Sequence, residues 1–232
     1  MKKGGFLTAF FYFYKKYFMK KFWVLFSLFI LPLVFYLFLS KGIYKYANLP
    51  ILTNKVLNTN TISNSDATFT NQLTVVCFLG TNIQEGKASL FNLNQTIYKR
   101  YFQKPYFKVT AIIPAGMEDE YKATLDELTV FTNTKSWNFL YVKPDKIDAL
   151  FNSFETPFEL NQNYFTKYAF IVDRESRLRG RKDDEDTKDG KLYGYDMTSV
   201  AVLKNKMKDD IDIIYYQLKK SAEKAARRKR EI

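Results

Sequence analysis

Residues 73–80 read Leu73-Thr74-Val75-Val76-Cys77-Phe78-Leu79-Gly80, a short apolar run with β-branched residues, closed by a glycine. Such a run, apolar on both alternating faces, predicts a central strand buried on both sides. Downstream, Leu90, Leu93, Ile97 and Tyr101 recur at helical spacing within residues 90–102. Residues 109–113 give a second buried strand, ended by Pro114 and Gly116. A second helix follows, with Tyr121, Leu125, Leu128 and Phe131 on one face. Trp137–Val142 reads as a strand, and residues 145–154 as a helix carrying Ile147, Leu150, Phe151 and Phe154. Tyr168–Val172 is a third strong strand, followed by a turn at Arg174-Glu175-Ser176 and a partner strand starting at Leu178. The last helix begins with Thr198 or Ser199 as N-cap. It carries Val200, Leu203, Met207, Ile211, Ile214 and Leu218 at spacings of three and four. Strands alternate with helices and then give way to a hairpin and a terminal helix. That order predicts an α/β fold over residues 71–218, with a thioredoxin-like mixed sheet flanked by helices.

Upstream, residues 22–40 (FWVLFSLFILPLVFYLFLS) run without a charge, opened by Phe22 and Trp23 and closed by Ser40. As a helix this stretch matches the ~30 Å hydrocarbon thickness of a bilayer, and Pro32 is tolerable in a membrane helix. The expectation is one transmembrane helix. Lys2, Lys3, Lys15, Lys16, Lys20 and Lys21 precede it with no acidic residue among them, whereas Lys41, Lys45 and Lys55 follow more sparsely. The positive-inside rule then puts residues 1–21 in the cytoplasm and the domain outside. No small-x-small cleavage site follows the apolar run, so an uncleaved signal anchor is expected. Residues 6–18 are aromatic with lysines near the end, which reads as an interfacial segment or a docking surface for another membrane subunit. Residues 41–70, polar and rich in Asn, Thr and Ser, read as a linker with one short strand.

Composition narrows the chemistry. The 232 residues suit one ordinary domain plus an anchor. They contain no histidine and one cysteine, Cys77. Those counts remove Ser-His-Asp and Cys-His catalysis, histidine-bearing zinc or copper sites, CxxC redox pairs and any intrachain disulfide. Lys and Arg outnumber Asp and Glu by 36 to 24, a formal charge of +12, which points to an anionic neighbour.

Residues 170–180, Phe-Ile-Val-Asp-Arg-Glu-Ser-Arg-Leu-Arg-Gly, resemble the hairpin of Sco/SenC proteins, where an apolar strand and an Asp precede a turn and then "GRIRG". The order of elements, the N-terminal anchor and the final amphipathic helix are similar as well. The resemblance spans roughly residues 70–220. It implies a thioredoxin-like body of the kind that carries copper on a CxxxC pair after the first core strand and on a His before the hairpin strand, in assembly of the cytochrome oxidase copper site. Soft thiolates and imidazole suit copper. On this chain the two cysteine places fall near Asn82 and Gly86 and the histidine place near Phe165, none of which supplies a soft ligand. The resemblance therefore implies a degenerate member, with a pseudo-active site in place of the metal and thiol chemistry.

Other constellations are weaker. Asp183, Asp184, Glu185, Asp186 and Asp189 fail the EF-hand spacing, since Lys188 and Asp189 occupy the fifth and sixth places from Asp184; residues 182–191 read as a solvated loop. Cys77, inside a strand, reads as a small buried hydrophobe. Residues 219–232 (KKSAEKAARRKREI), including Arg227, Arg228, Lys229 and Arg230, form a basic tail suited to anionic headgroups, an acidic partner or plain solvation. The expected protein is a non-enzymatic, Sco-like scaffold or accessory subunit of a membrane assembly in a bacterial inner membrane, with a periplasmic domain. Its expected partners are the bilayer and other membrane subunits, with no nucleic acid, cofactor or metal. The alternatives are a copper or thiol-disulfide assembly factor using Met117 or Cys77, a carboxylate-based hydrolase, and a peptide-binding module using the groove around residues 82–87.

Overall fold

The structure, a computed structural model, describes residues 21–46, 48–63 and 67–228. The chain divides into two compact units, Met1–Ala47 and Asn48–Ile232. The interfacial segment expected at residues 6–18 lies outside the described residues.

The first unit is a helix over residues 21–46, α1. Within it Lys21–Leu39 has a mean hydropathy of 2.5 and none of it is buried. At ~1.5 Å rise per residue this stretch matches a bilayer core. By length and composition it is the one helix among the described residues able to cross a membrane. The turn at Phe26–Ile30 is widened into a π-helix just ahead of Pro32. Proline has no N–H to offer the carbonyl four residues back, and a local π-turn is a common adjustment to such a gap. The helix does not stop at Ser40: residues 41–46, expected in the linker, continue it to Tyr46.

The second unit is a seven-stranded mixed sheet with helices on both faces. Its strands are β1 (Ile51–Thr53), β2 (Leu73–Phe78), β3 (Phe107–Pro114), β4 (Trp137–Val142), β5 (Tyr168–Val172), β6 (Leu178–Arg179) and β7 (Tyr195–Asp196). The order across the sheet is β1-β6-β5-β2-β3-β4, with β7 also paired to β5. β2, β3 and β4 are parallel, while β5 runs antiparallel to β2 and forms a hairpin with β6. The helices are α2 (residues 83–101), α3 (Glu118–Phe131), α4 (Pro144–Asn152) and α5 (residues 200–228). The β-α-β crossover β2-α2-β3, the returning antiparallel hairpin and the closing helix α5 make the thioredoxin-like arrangement, extended by β4 at one edge.

Every residue of β2 is buried, because the strand alternates between two cores. Val75, Cys77 and Leu79 face Leu90, Leu93 and Ile97 of α2, Leu128 of α3, and Met207 and Ile211 of α5. Val76 and Phe78 face Ile147, Leu150 and Phe151 of α4. α2 starts at Ile83, about two turns before the apolar spacing becomes visible, and α5 is capped by the Ser199 hydroxyl, which accepts the N–H of Val202.

The linker expectation for residues 41–70 is corrected beyond residue 47. Leu49, Val56, Ile62 and Phe69 are buried, β1 pairs with β6, and Val56 donates its N–H to the Ser176 carbonyl at 2.7 Å. Burial of four large apolar side chains makes this segment part of the core. The solvated reading of residues 182–191 holds for most of the loop but not for its base and Asp184. Arg181 and Leu192 bridge its base, and Asp184 is 5% exposed, its carboxylate held by Lys206 Nζ at 2.7 Å. At the C-terminus α5 runs on to Arg228, so Arg227 and Arg228 are helical; Lys229 and Arg230 lie outside the described residues.

Candidate functional site

The positions singled out by the family resemblance gather at one end of the sheet, where β2 runs into α2. Leu79 forms an isolated bridge with Phe165, and Gly80 turns the chain at φ +69. A Cβ on Gly80 would lie 2.4 Å from the Asn163 carbonyl, so the turn admits no side chain. Asn82 caps α2, its Oδ1 accepting the N–H of Gln84 at 3.2 Å. Gly86 sits one turn on, donating its N–H to the Asn82 carbonyl at 3.1 Å. Asn82 and Gly86 thus lie on the first turn of α2, and Phe165 lies beside the Leu79–Gly80 turn that leads into it.

What fills the space between them was not legible in the sequence. The Tyr121 hydroxyl, from α3, donates to the Leu79 carbonyl at 2.8 Å and lies 3.1 Å from that of Gly80. A Cβ on Gly86 would come within 2.5 Å of that hydroxyl and 2.7 Å of the Leu79 carbonyl. Burial, with smaller contributions from Cys77, Tyr141 and Glu85, raises the phenol above its ordinary range. It stays a neutral donor at physiological pH. From the other side, Asn161 Oδ1 accepts the N–H groups of Asn163 at 2.9 Å and Phe165 at 3.0 Å. Asn161 Nδ2 donates to Glu85 Oε2 at 3.2 Å, and the Asn163 carbonyl accepts the Thr81 N–H at 2.8 Å. Side-chain amides and a phenol stitch the loop shut.

The candidate donors for redox or metal chemistry lie elsewhere. Cys77 is fully buried in β2, and burial pushes its thiol up to about 12. A thiol in that state is a poor nucleophile and a poor metal ligand. Met117, just before α3, packs against the same core. Lys87, in the segment 82–87 that was expected to line a groove, pairs with Glu127 at 2.6 Å. Among the described residues no three His, Cys, Asp or Glu side chains cluster as a metal site.

The charged hairpin that carries the family resemblance is structural. Asp173 is 2% exposed; its carboxylate accepts the backbone N–H groups of Glu175 and Arg177 and pairs with Arg177 at 2.8 Å and Arg179 at 3.0 Å. Burial pushes this carboxyl up, but hydrogen bonds from Arg177 and Arg179 outweigh it and hold the group below its usual range. Arg179 also donates to the Leu49 and Pro50 carbonyls and to Gln217 Oε1. One guanidinium therefore ties together the hairpin, the entry of the domain and its last helix. A second buried network links Arg181 Nε to Asp210 at 2.9 Å and the Tyr195 hydroxyl to the same carboxylate at 2.6 Å. Burial raises Asp210 above its ordinary range, against the pull of Arg181 and Tyr195. In both networks the charges pair with one another and link separate elements, so each supports the fold.

No protein-family model matches the chain, and no curated protein matches it. Several solved structures are similar in outline. A thiol:disulfide interchange protein from Bacteroides sp. is 15% identical, with 55% of this chain and 79% of that one covered at a TM-score of 0.39. Bradyrhizobium japonicum ScoI with copper bound is 12% identical, covering 69% and 98% at 0.38. A SCO1/SenC family lipoprotein from Bacillus anthracis is 14% identical, covering 57% and 83% at 0.35. Likenesses this distant carry no functional argument, and the thioredoxin-like assignment rests on the chain's own strand order and helix placement.

Proposed function

We propose that this chain is a non-catalytic, membrane-anchored scaffold or accessory subunit of a larger membrane assembly, built on a thioredoxin-like body with a locked active loop. The observation that carries the reading is the seat of the Tyr121 hydroxyl, against Gly86 and the Leu79 carbonyl. In the Sco/SenC pattern that the hairpin resembles, this end of the sheet holds the copper-binding thiols. Here the places carry an amide cap, a glycine with no room for a side chain, and a phenylalanine. The only thiol is buried and protonated. The apolar helix supplies the anchor, and the excess of lysines before it favours a cytoplasmic N-terminus and a domain on the periplasmic face of a bacterial inner membrane. A link to respiratory-complex assembly follows from the hairpin resemblance.

Gentle extraction of the intact protein from its native membrane tests the reading. The expected result is a companion membrane protein at fixed stoichiometry, no retained copper, and no disulfide reduction by the isolated chain. Stoichiometric copper on the purified monomer, or thiol turnover lost on Cys77→Ala, overturns it in favour of an assembly factor with non-standard ligands.

A further inference from the structure

α5 outlasts the core it packs on. Among the described side chains the last one against the core is Leu218, while the helix continues to Arg228. From residue 219 to the end, the chain holds seven basic residues and two acidic ones. Positions 220, 224, 227 and 228 fall on one face of the helix by their spacing.

An independent contact fixes where this basic stretch starts. Gln217 Nε2 donates to Asn48 Oδ1 at 2.6 Å, and Arg179 holds Gln217 and the Leu49 carbonyl together. Asn48 is two residues past Tyr46, the last residue of the apolar helix. Seven residues of that helix beyond Leu39 rise ~10 Å, and two peptide units reach at most ~7 Å more. With the two bonded side chains added, the connection from Leu39 to Gln217 has a contour length of at most roughly 30 Å, and the headgroup layer is about 5–8 Å deep. The helix from residue 217 to residue 228 is ~16 Å long. The basic stretch is thus tethered by a short connection to the apolar helix and is opposite in charge to anionic lipid.

We propose that residues 219–228 are a second, electrostatic membrane attachment, binding anionic lipid headgroups on the side where the domain lies. The inference rests on the membrane anchor of the function proposed above. The helix adds a charge-dependent contact to the apolar one, so the domain would be held at two points on anionic membranes and at one on neutral membranes.

The test uses the full chain carrying Ala225→Cys, labelled with a fluorescent donor and reconstituted into phosphatidylcholine vesicles with or without 30% (roughly a third) phosphatidylglycerol, an acceptor dye being on a headgroup in both. Buried Cys77 does not take the label. The expected result is higher energy transfer with phosphatidylglycerol, falling as salt rises from low to molar concentration, and unaffected by added inorganic phosphate at matched ionic strength. Each of K220Q, K224Q, R227Q and R228Q should lower the lipid-bound population of the tail by roughly fivefold, the factor matching ~1 kcal/mol per basic residue at an anionic surface. Equal transfer in both vesicle types, or a gain that ignores salt or the substitutions, overturns the proposal while leaving the anchor intact. Failure of the chain to float with neutral vesicles overturns the anchor itself, and this inference with it. A tail that responds only when another native membrane protein is added also overturns it.

Discussion

Gly86→Ala is the sharpest perturbation of the locked loop. The new Cβ would sit 2.5 Å from the Tyr121 hydroxyl and 2.7 Å from the Leu79 carbonyl, where ordinary contact begins near 3.4 Å. The tyrosine must retreat by close to an ångström, which stretches its 2.8 Å hydrogen bond beyond useful geometry. Overpacking of this kind costs about 1–3 kcal/mol and loss of the hydrogen bond about 1 more. Replacing glycine by alanine inside a helix returns about 1 kcal/mol. The net is a loss of about 1–3 kcal/mol, or about 2–10 °C in Tm for a domain of this size. Tyr121→Phe alone should cost about 1–2 kcal/mol, because two buried carbonyls lose their donor. Combining the two should cost less than their sum by about 1 kcal/mol, since the shorter ring vacates space for the alanine. Circular dichroism of the full chain in detergent gives the four Tm values. A Gly86→Ala protein at least as stable as the parent, or a strictly additive cycle, refutes the packing argument. The same geometry predicts that Gly86→Cys unfolds more readily than Gly86→Ala, so the family's second thiol cannot be restored by one substitution.

Three further outcomes follow from groups outside the loop. Asp173→Asn leaves Arg179 buried with a weakened partner and should cost about 3–5 kcal/mol, read as a shift in the urea midpoint; a shift under 1 kcal/mol would contradict the buried pairing. Because the folded Asp173 is held below its unfolded range, its contribution is complete above about pH 5 and is lost as pH falls through the folded value. Acid titration of the Asp173→Asn protein should therefore show a shallower loss of stability below about pH 4 than the parent. Cys77, with its thiol near 12, should have on the order of a thousandfold less thiolate at pH 8 than a free cysteine. It should react with a thiol reagent only after denaturation, and rapid native labelling would place it at the surface. Ser199→Ala removes the cap of α5 and should cost about 1 kcal/mol by thermal melting.

The fold was legible where one force dominates. β2, β3 and β5 announce themselves as apolar runs because both their faces are buried, and α5 because a single stripe from Leu203 to Leu218 packs on the core, although Val200, expected to open that stripe, is exposed in the first turn. Residues 48–70 hid their role because the buried Leu49, Val56, Ile62 and Phe69 recur at no regular period, although the last three share one core. The buried charges hid for a related reason: Arg181 and Asp210, or Asp184 and Lys206, stand far apart in sequence, and only the fold makes them partners. At the candidate site, the resemblance pointed to Asn82, Gly86 and Phe165, which lie around the Leu79–Gly80 turn. Tyr121 was legible as a core residue of α3, but the destination of its hydroxyl depends on a carbonyl in another element, and no local pattern records that.

The position of β1 also sets an order on folding. Ile51 and Thr53 leave the ribosome early, yet their only strand partners, Arg179 and Leu178, follow about 130 residues later. At the ~5–20 residues per second of synthesis, β1 waits about 6–25 s for its neighbour. β2, β3 and β4 have parallel neighbours available sooner, so the centre of the sheet can pair before its edge. The hairpin then brings Arg179 to the Leu49 carbonyl, with β7 and α5 still to follow in the chain. A polypeptide interrupted before residue 179 would thus carry an unclasped first strand, a natural handle for chaperones and proteases that police unfinished chains.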